Sequence, residues 1–240
     1  LHGVPTTAIQ HHHNPRRRVQ ELLNRPPRDD MESKAVRWLG IMTRRGLDSR
    51  TIGITGSLLI GAQTANSDLD FVLYNRTDFS RAREMLRAAI ADDELQALTA
   101  TDWRASWERR DCDLSFDDYL WHEQRKFNKG LCEGSKFDIT LTLNNAVMET
   151  DTAKKLGPIR FEAKVIDAAE SFDYPARYRL EHPDFGEVLS FTHTYAGQAL
   201  AGETVEVSGQ LEESADGTLR VIVGSTREAR GEFIKVLRPT

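Results

Sequence analysis

TIGITGSLLIGAQTANSDLDFVLY, residues 51–74, is the stretch from which the rest of the chain can be read. Ile52 and Ile54 alternate with small or polar residues and run into Gly56-Ser57, the pattern of a short strand entering a tight turn and a brief helix. A loop leads to Ser67-Asp68-Leu69-Asp70-Phe71-Val72-Leu73-Tyr74, predicted as a second strand. Side chains alternate faces along a strand, so Asp68 and Asp70 project to one side and Leu69 and Phe71 to the other. Two neighbouring carboxylates on an otherwise apolar strand repel each other unless something positive sits between them, and a divalent metal is the usual answer. Hard oxygen donors favour Mg²⁺ or Mn²⁺ over Zn²⁺. Gly56 lets backbone approach a phosphate closely, and a helix starting there directs N–H groups at an anion.

A strand ending in Gly-Ser, then a spacer, then Ser-Asp-Leu-Asp in a hydrophobic strand, resembles the nucleotidyltransferase superfamily of the DNA polymerase beta type. That resemblance implies a third carboxylate on a later neighbouring strand. The matching position is Asp138 in KFDITLTL, where Phe137, Ile139, Leu141 and Leu143 take one face and Asp138, Thr140 and Thr142 the other. The run ITGSLLIG with SDLDFVLY, together with SFDYPARY and GEVLSFTHTYAGQALAGE, resembles archaeal predicted nucleotidyltransferases without a firm assigned substrate. The motif covers the middle third of the chain and the wider likeness most of it.

The resemblance implies a metal-dependent transferase that moves a nucleoside monophosphate from an NTP to an acceptor hydroxyl and releases pyrophosphate. Asp68, Asp70 and Asp138 would be the catalytic and Mg²⁺- or Mn²⁺-binding carboxylates, with Gly56 and Ser57 on the β and γ phosphates. Arg125, Lys126 and Lys129 are candidate triphosphate ligands and equally a solvated helix face. Two other readings stay open. One is a catalytically silent nucleotide- or RNA-binding protein on the same scaffold, against which the presence of all three carboxylates counts. The other is an enzyme that transfers AMP to a protein or a small molecule.

A chain of 240 residues suits one large domain or two modest ones. Hydrophobic residues make up 39% and charged residues 29%, which excludes a disordered chain. No apolar run approaches the roughly 18 residues that span a bilayer, and the N-terminal stretch lacks the apolar centre of a signal peptide. No membrane partner is expected, and the cytoplasm is the expected compartment. The chain does not open on Met, so the numbering can begin inside a longer protein. Cys112 and Cys132 form no metal-spaced set and read as two buried, reduced thiols. Residues 1–50 hold 10 Lys/Arg against 5 Asp/Glu, whereas residues 159–240 hold 9 against 14. The weak basic footprint argues against a long duplex substrate and leaves a tRNA end or a nucleotide open.

The expected fold class is α+β: a nucleotidyltransferase-like mixed sheet with flanking helices over residues 30–157, followed by a small all-β domain, barrel or OB-like, over 158–240. Residues 1–29 read as an N-terminal extension with a short amphipathic segment through Val19, Leu22 and Leu23; its His11–His13 run suggests a loop or subunit contact and Arg16–Arg18 a solvated face. Asp29 or Asp30 caps a helix whose Ala35, Trp38, Leu39 and Met42 share a buried side. Another helix is predicted over 79–98. Residues 99–114 look irregular, with Trp103, Arg104 and Trp107 packing rather than stacking on a base. Gly157-Pro158 marks a boundary. Beyond it, short strands are predicted at 159–168, 176–180, 187–194, 203–211, 218–224 and 232–237, with a hairpin turn at Ser214–Gly217.

Overall fold

The computed structural model describes residues 4–143, 153–226 and 229–238. The chain forms two compact units, one of Leu1–Leu98 with Asn128–Leu141, the other of Thr99–Phe127 with Thr142–Thr240. Among the described residues, no helix is long and apolar enough to cross a membrane.

Unit 1 contains α1 (Pro15–Leu23), α2 (Asp30–Arg44), β1 (Ile52–Ile54), α3 (Gly56–Ile60), β2 (Leu69–Leu73), α4 (Arg76–Ala91), β3 (Lys129–Cys132) and β4 (Ser135–Leu141). Its strands form one mixed sheet in the order β1-β2-β4-β3, with β2 and β4 parallel and the other pairs antiparallel. Asp29 caps α2 by accepting from the Glu32 N–H, and the helix buries the predicted face. Trp38 is fully buried and stacks on Phe71, ring centroids 3.7 Å apart, with Phe137 at 5.9 Å. That packing fixes which side of the sheet is core. Phe71 and Phe137 point at α2, so Asp70 and Asp138, one residue along each strand, point away from it.

Within the N-terminal extension, the amphipathic segment expected through Val19, Leu22 and Leu23 is a helix, α1. Asn14 caps α1 by accepting from the Arg17 N–H, Pro15 occupies its first turn, and Val19 and Leu22 are buried. The helix sits against β1 at Gly53, where an added Cβ would lie 2.8 Å from both Pro15 Cβ and Val72 Cγ1. A basic, proline-bounded stretch thus belongs to unit 1 because the only glycine of β1 makes room for it.

Unit 2 opens with α5 (Ala100–Arg110) and α6 (Phe116–Gln124) and continues through β5 (Lys154–Asp167), β6 (Ala176–Glu181), β7 (Glu187–Ser190), β8 (Thr204–Glu213), β9 (Leu219–Val223) and β10 (Phe233–Val236). The sheet closes on itself. β5 pairs with β6, β6 with β7, β7 with β9, β9 with β8 and β8 again with β5, giving a five-stranded barrel with β10 added along β8. The β7–β9 pair is parallel and the others are antiparallel. Closure removes free edges from the ring.

Four expectations change here. Residues 99–110, read as irregular, are α5, capped by a Thr99–Asp102 box. Only Trp103 on that helix is buried, so no apolar stripe announced it. The tryptophan and arginine side chains do pack: Trp107 Nε1–H donates to the Leu114 carbonyl and Arg104 lies 4.0 Å over the Phe116 ring. Residues 99–127, placed with the first domain, cluster with the barrel. Gly157-Pro158 falls inside β5, at a bulge between Lys155 and Gly157, instead of bounding a domain. There β5 pairs only with β8, so a residue without an N–H is tolerated on its open side. Both cysteines are free, but Cys112 is only half-buried while Cys132 is buried.

His122 on α6 ties that helix to β10. Its Nε2 accepts from the Val236 N–H at 3.0 Å, which leaves Nδ1–H to donate to the Asp118 carbonyl at 2.7 Å. Burial pushes its pKa down to about 4, with the Asp118 carbonyl opposing the shift. A proton on Nε2 would also face the Val236 N–H. The neutral ring is therefore favoured in the folded state, and its contribution is complete above the unfolded value near 6.5 and lost as pH falls through about 4. Unit 2 is expected to lose about 3 kcal/mol across this window. Hydrogen exchange at the Val236 amide, followed from pH 7 to pH 4 and corrected for intrinsic rates, should report that loss. Pre-exchange protection constant over the range would contradict it.

Candidate active site

The strand register builds the site. Asp70 on β2 and Asp138 on β4 are direct partners across the parallel pair, and Asp138 is in turn opposite Lys129 on β3. Neighbours in register share a face, so the sheet carries a row of Asp70, Asp138 and Lys129 on the side away from Trp38. All three are half-buried. Asp68 lies immediately before β2, and is exposed, not within the strand as expected.

Burial and then the charges of Asp138 and Asp68 push the Asp70 carboxyl up to about 6. Asp70 therefore senses the charge of both other carboxylates. Among the described residues, no three His, Cys, Asp or Glu side chains converge into a ready-made metal cage. The carboxylate oxygens of Asp70 and Asp138, side by side in register, are donors of the kind a hard divalent cation takes, with Lys129 opposite Asp138 on the same face.

Gly56 completes the corner. Its φ of +61° is left-handed, and an added Cβ would lie 2.1 Å from Asp70 Oδ2. Only glycine fits both the backbone angle and the space. Thr55 N–H donates to the Asp70 carbonyl at 2.9 Å, so the turn is hung on β2 itself. Ser57 follows in α3, a helix of five residues whose N-terminus has no side-chain cap. The next loop is held by Ala62 N–H on the Ser57 carbonyl and by Gln63 Nε2–H on Asp29 Oδ2.

Arg125 and Lys126 fall in the other unit of the chain. Both belong to unit 2, and their charged ends are engaged within it. Arg125 Nη2 donates to both Glu203 oxygens at 2.7 Å and its guanidinium lies 4.4 Å over Trp121. Lys126 is buried, with Nζ 2.5 Å from Glu123 Oε1 and 2.9 Å from the Thr194 carbonyl. The expectation that these two offer their charges to a triphosphate, or to solvent, is corrected. Their polar ends close contacts inside unit 2.

Sequence reasoning also passed over a buried acid. Glu32 is 1% exposed and is gripped by Arg25 through both carboxylate oxygens at 2.7 Å, by the Arg28 N–H and by Arg18 Nη2 at 2.9 Å. These bonds, Arg25 first, hold its carboxyl down at about 2. The signal was the Arg16–Arg18 run, but periodicity could not tell that its third member turns inward. Arg16 instead lies 4.0 Å over the Tyr74 ring, and Arg17 pairs with Glu21 at the surface.

Neither a family model nor a solved structure matches this chain. The chain is similar to the uncharacterized protein MJ1086 of Methanocaldococcus jannaschii, with 35% identity over 221 residues. The match takes in 87% of this chain and 65% of that archaeal protein, so the chain spans just under two thirds of the relative's length.

Proposed function

We propose that unit 1 is a nucleotidyltransferase that moves a nucleoside monophosphate from an NTP to an acceptor hydroxyl. The observation that carries this reading is the register pairing of Asp70 with Asp138 beside the left-handed Gly56. A mixed sheet with acids on two adjacent strands and a glycine turn against one of them supports the reading that the sequence resemblance suggested.

Asp68, Asp70 and Asp138 would hold Mg²⁺ or Mn²⁺, which supplies charge neutralisation on the phosphates and acidifies the acceptor hydroxyl. The remaining work falls to the chain itself. The Gly56 backbone and the Ser57 hydroxyl would bind the β and γ phosphates and orient the leaving group. A carboxylate oxygen of Asp138 would accept the proton as the acceptor oxygen attacks the α phosphorus. The bond from that phosphorus to the β-phosphate's bridging oxygen breaks, and pyrophosphate departs. Positioning and electrostatics account for most of such a reaction's acceleration.

Asp68 stands exposed ahead of β2 and outside the paired row, which favours a second reading, a nucleotide-binding protein without turnover. The ring order of the barrel and its parallel closing pair support the OB-like reading of unit 2, which keeps RNA among the acceptors beside proteins and small molecules. One experiment separates these readings. The protein is incubated with each labelled NTP, Mg²⁺ or Mn²⁺ and a cell extract, with Asp138→Asn as the blank. Transfer is expected from at least one NTP, and the fraction that carries the label names the acceptor class. Metal-dependent nucleotide binding with no pyrophosphate above the blank would replace the transferase reading by the second one.

A further inference from the structure

We infer that Arg18, on α1, is a positioning residue that sets where the glycine corner stands relative to Asp70. The inference rests on the transferase reading for its functional consequence, though not for its structural one. With five residues, α3 cannot sustain itself, since nearly every one of its hydrogen-bonding groups is terminal. The Gly61 and Ala62 N–H groups both converge on the Ser57 carbonyl. The Leu58 carbonyl is satisfied instead from outside, by Arg18 Nε–H at 2.8 Å.

The brace is rigid at its far end. The Arg18 side chain is 11% exposed, and its Nη2 donates to Glu32 Oε1, the acid already fixed by Arg25 and the Arg28 N–H. A buried, charge-assisted fork thus runs from the start of α2 through Arg18 to the second turn residue after Gly56. Gly56 in turn has no slack: with Asp70 Oδ2 at the place a Cβ would take, a small shift of α3 closes or opens the space beside that carboxylate. Arginine is required because one planar group must meet a carbonyl through Nε and a carboxylate through Nη2 at once. A lysine can satisfy one of them.

The test uses the full chain with Arg18→Lys, and Glu32→Gln as a second variant that loosens the same brace from its other end. In Arg18→Lys, amide exchange should speed up by about 10-fold or more at Gly61 and Ala62 with α2 and β2 amides unchanged; Glu32→Gln should show the same acceleration at Gly61 and Ala62 together with loss at the start of α2, where it also releases Arg25 and the Arg28 N–H. In pyrophosphate-release assays KM for the NTP should rise about 10-fold with kcat within about threefold, because the corner grips the triphosphate before reaction. A merely structural role would lower kcat through loss of active protein and leave KM alone. Unchanged exchange at Gly61 and Ala62, or a loss of protection spread evenly over unit 1, overturns the inference. If the wild type releases no pyrophosphate, the transferase reading fails, while the exchange result still decides whether Arg18 holds the corner.

Discussion

Asp70→Asn is expected to have two opposite effects: pyrophosphate release falls by about 10³-fold or more, and the metal-free protein becomes more stable. The second effect follows from the same feature as the first. Asp70 is raised to about 6 by burial and by the charges of Asp138 and Asp68. A raised folded value means that this group's favourable contribution is complete below about 3.8 and lost as pH rises through about 6. At pH 7 the wild type therefore carries a repulsion that asparagine does not. The side chain is far from fully buried, so solvent screening reduces the gain to roughly 1 kcal/mol, or a few degrees in melting temperature. The advantage should vanish near pH 4, where the wild-type carboxyl is largely neutral. Millimolar Mg²⁺ should raise the melting temperature of the wild type and leave that of the variant unchanged, since a ligand that binds only the folded state stabilises it by mass action. Calorimetry at pH 7 and pH 4, with and without Mg²⁺, reads all of this. A less stable variant that still responds to Mg²⁺ would show that Asp70 is a structural acid.

The site and the barrel were legible for different reasons. Asp70, Gly56 and the apolar alternation of β2 lie within two dozen residues, where strand periodicity and turn chemistry act locally. Asp138 was found through resemblance, and only the pairing of β2 with β4 puts it next to Asp70. Most barrel strands alternate and are separated by turns, so they declared themselves, except the start of the long β5, which Gly157-Pro158 disguised as a boundary; Ser214–Gly217 closes the β8–β9 hairpin as its residues suggest, with the Gly217 N–H on the Ser214 carbonyl. What stayed hidden were elements whose order comes from long-range charge or from a partner surface. α5 has almost no apolar face, the amphipathic segment of α1 showed but not its seat against the missing Cβ of Gly53, and Glu32 is buried because arginines at 18 and 25 meet it. Composition records those charges but not which of them turn inward.

Lys126→Met separates the two accounts of the basic cluster before β3 most sharply. If Lys126 bound a triphosphate, the variant would fold normally and show a raised KM. The structure gives the ammonium a different role. With both side chains nearly inaccessible, it neutralises Glu123 at 2.5 Å and donates to the Thr194 carbonyl. Removing one partner of a buried ion pair leaves the other charge in a poor solvent, at a cost of about 3–5 kcal/mol. The variant should therefore lose several kcal/mol of unit 2 stability in urea unfolding, with KM for the NTP unchanged in whatever protein remains folded. Replacing the pair together, Lys126→Met with Glu123→Leu, removes the stranded charge and should recover most of the loss, because a well-packed apolar pair often matches a buried ionic one. Recovery in the double variant identifies electrostatic desolvation as the cause. An intact unfolding midpoint in the single variant, with KM raised instead, would return Lys126 to the substrate and require the Glu123 contact to open when the nucleotide binds.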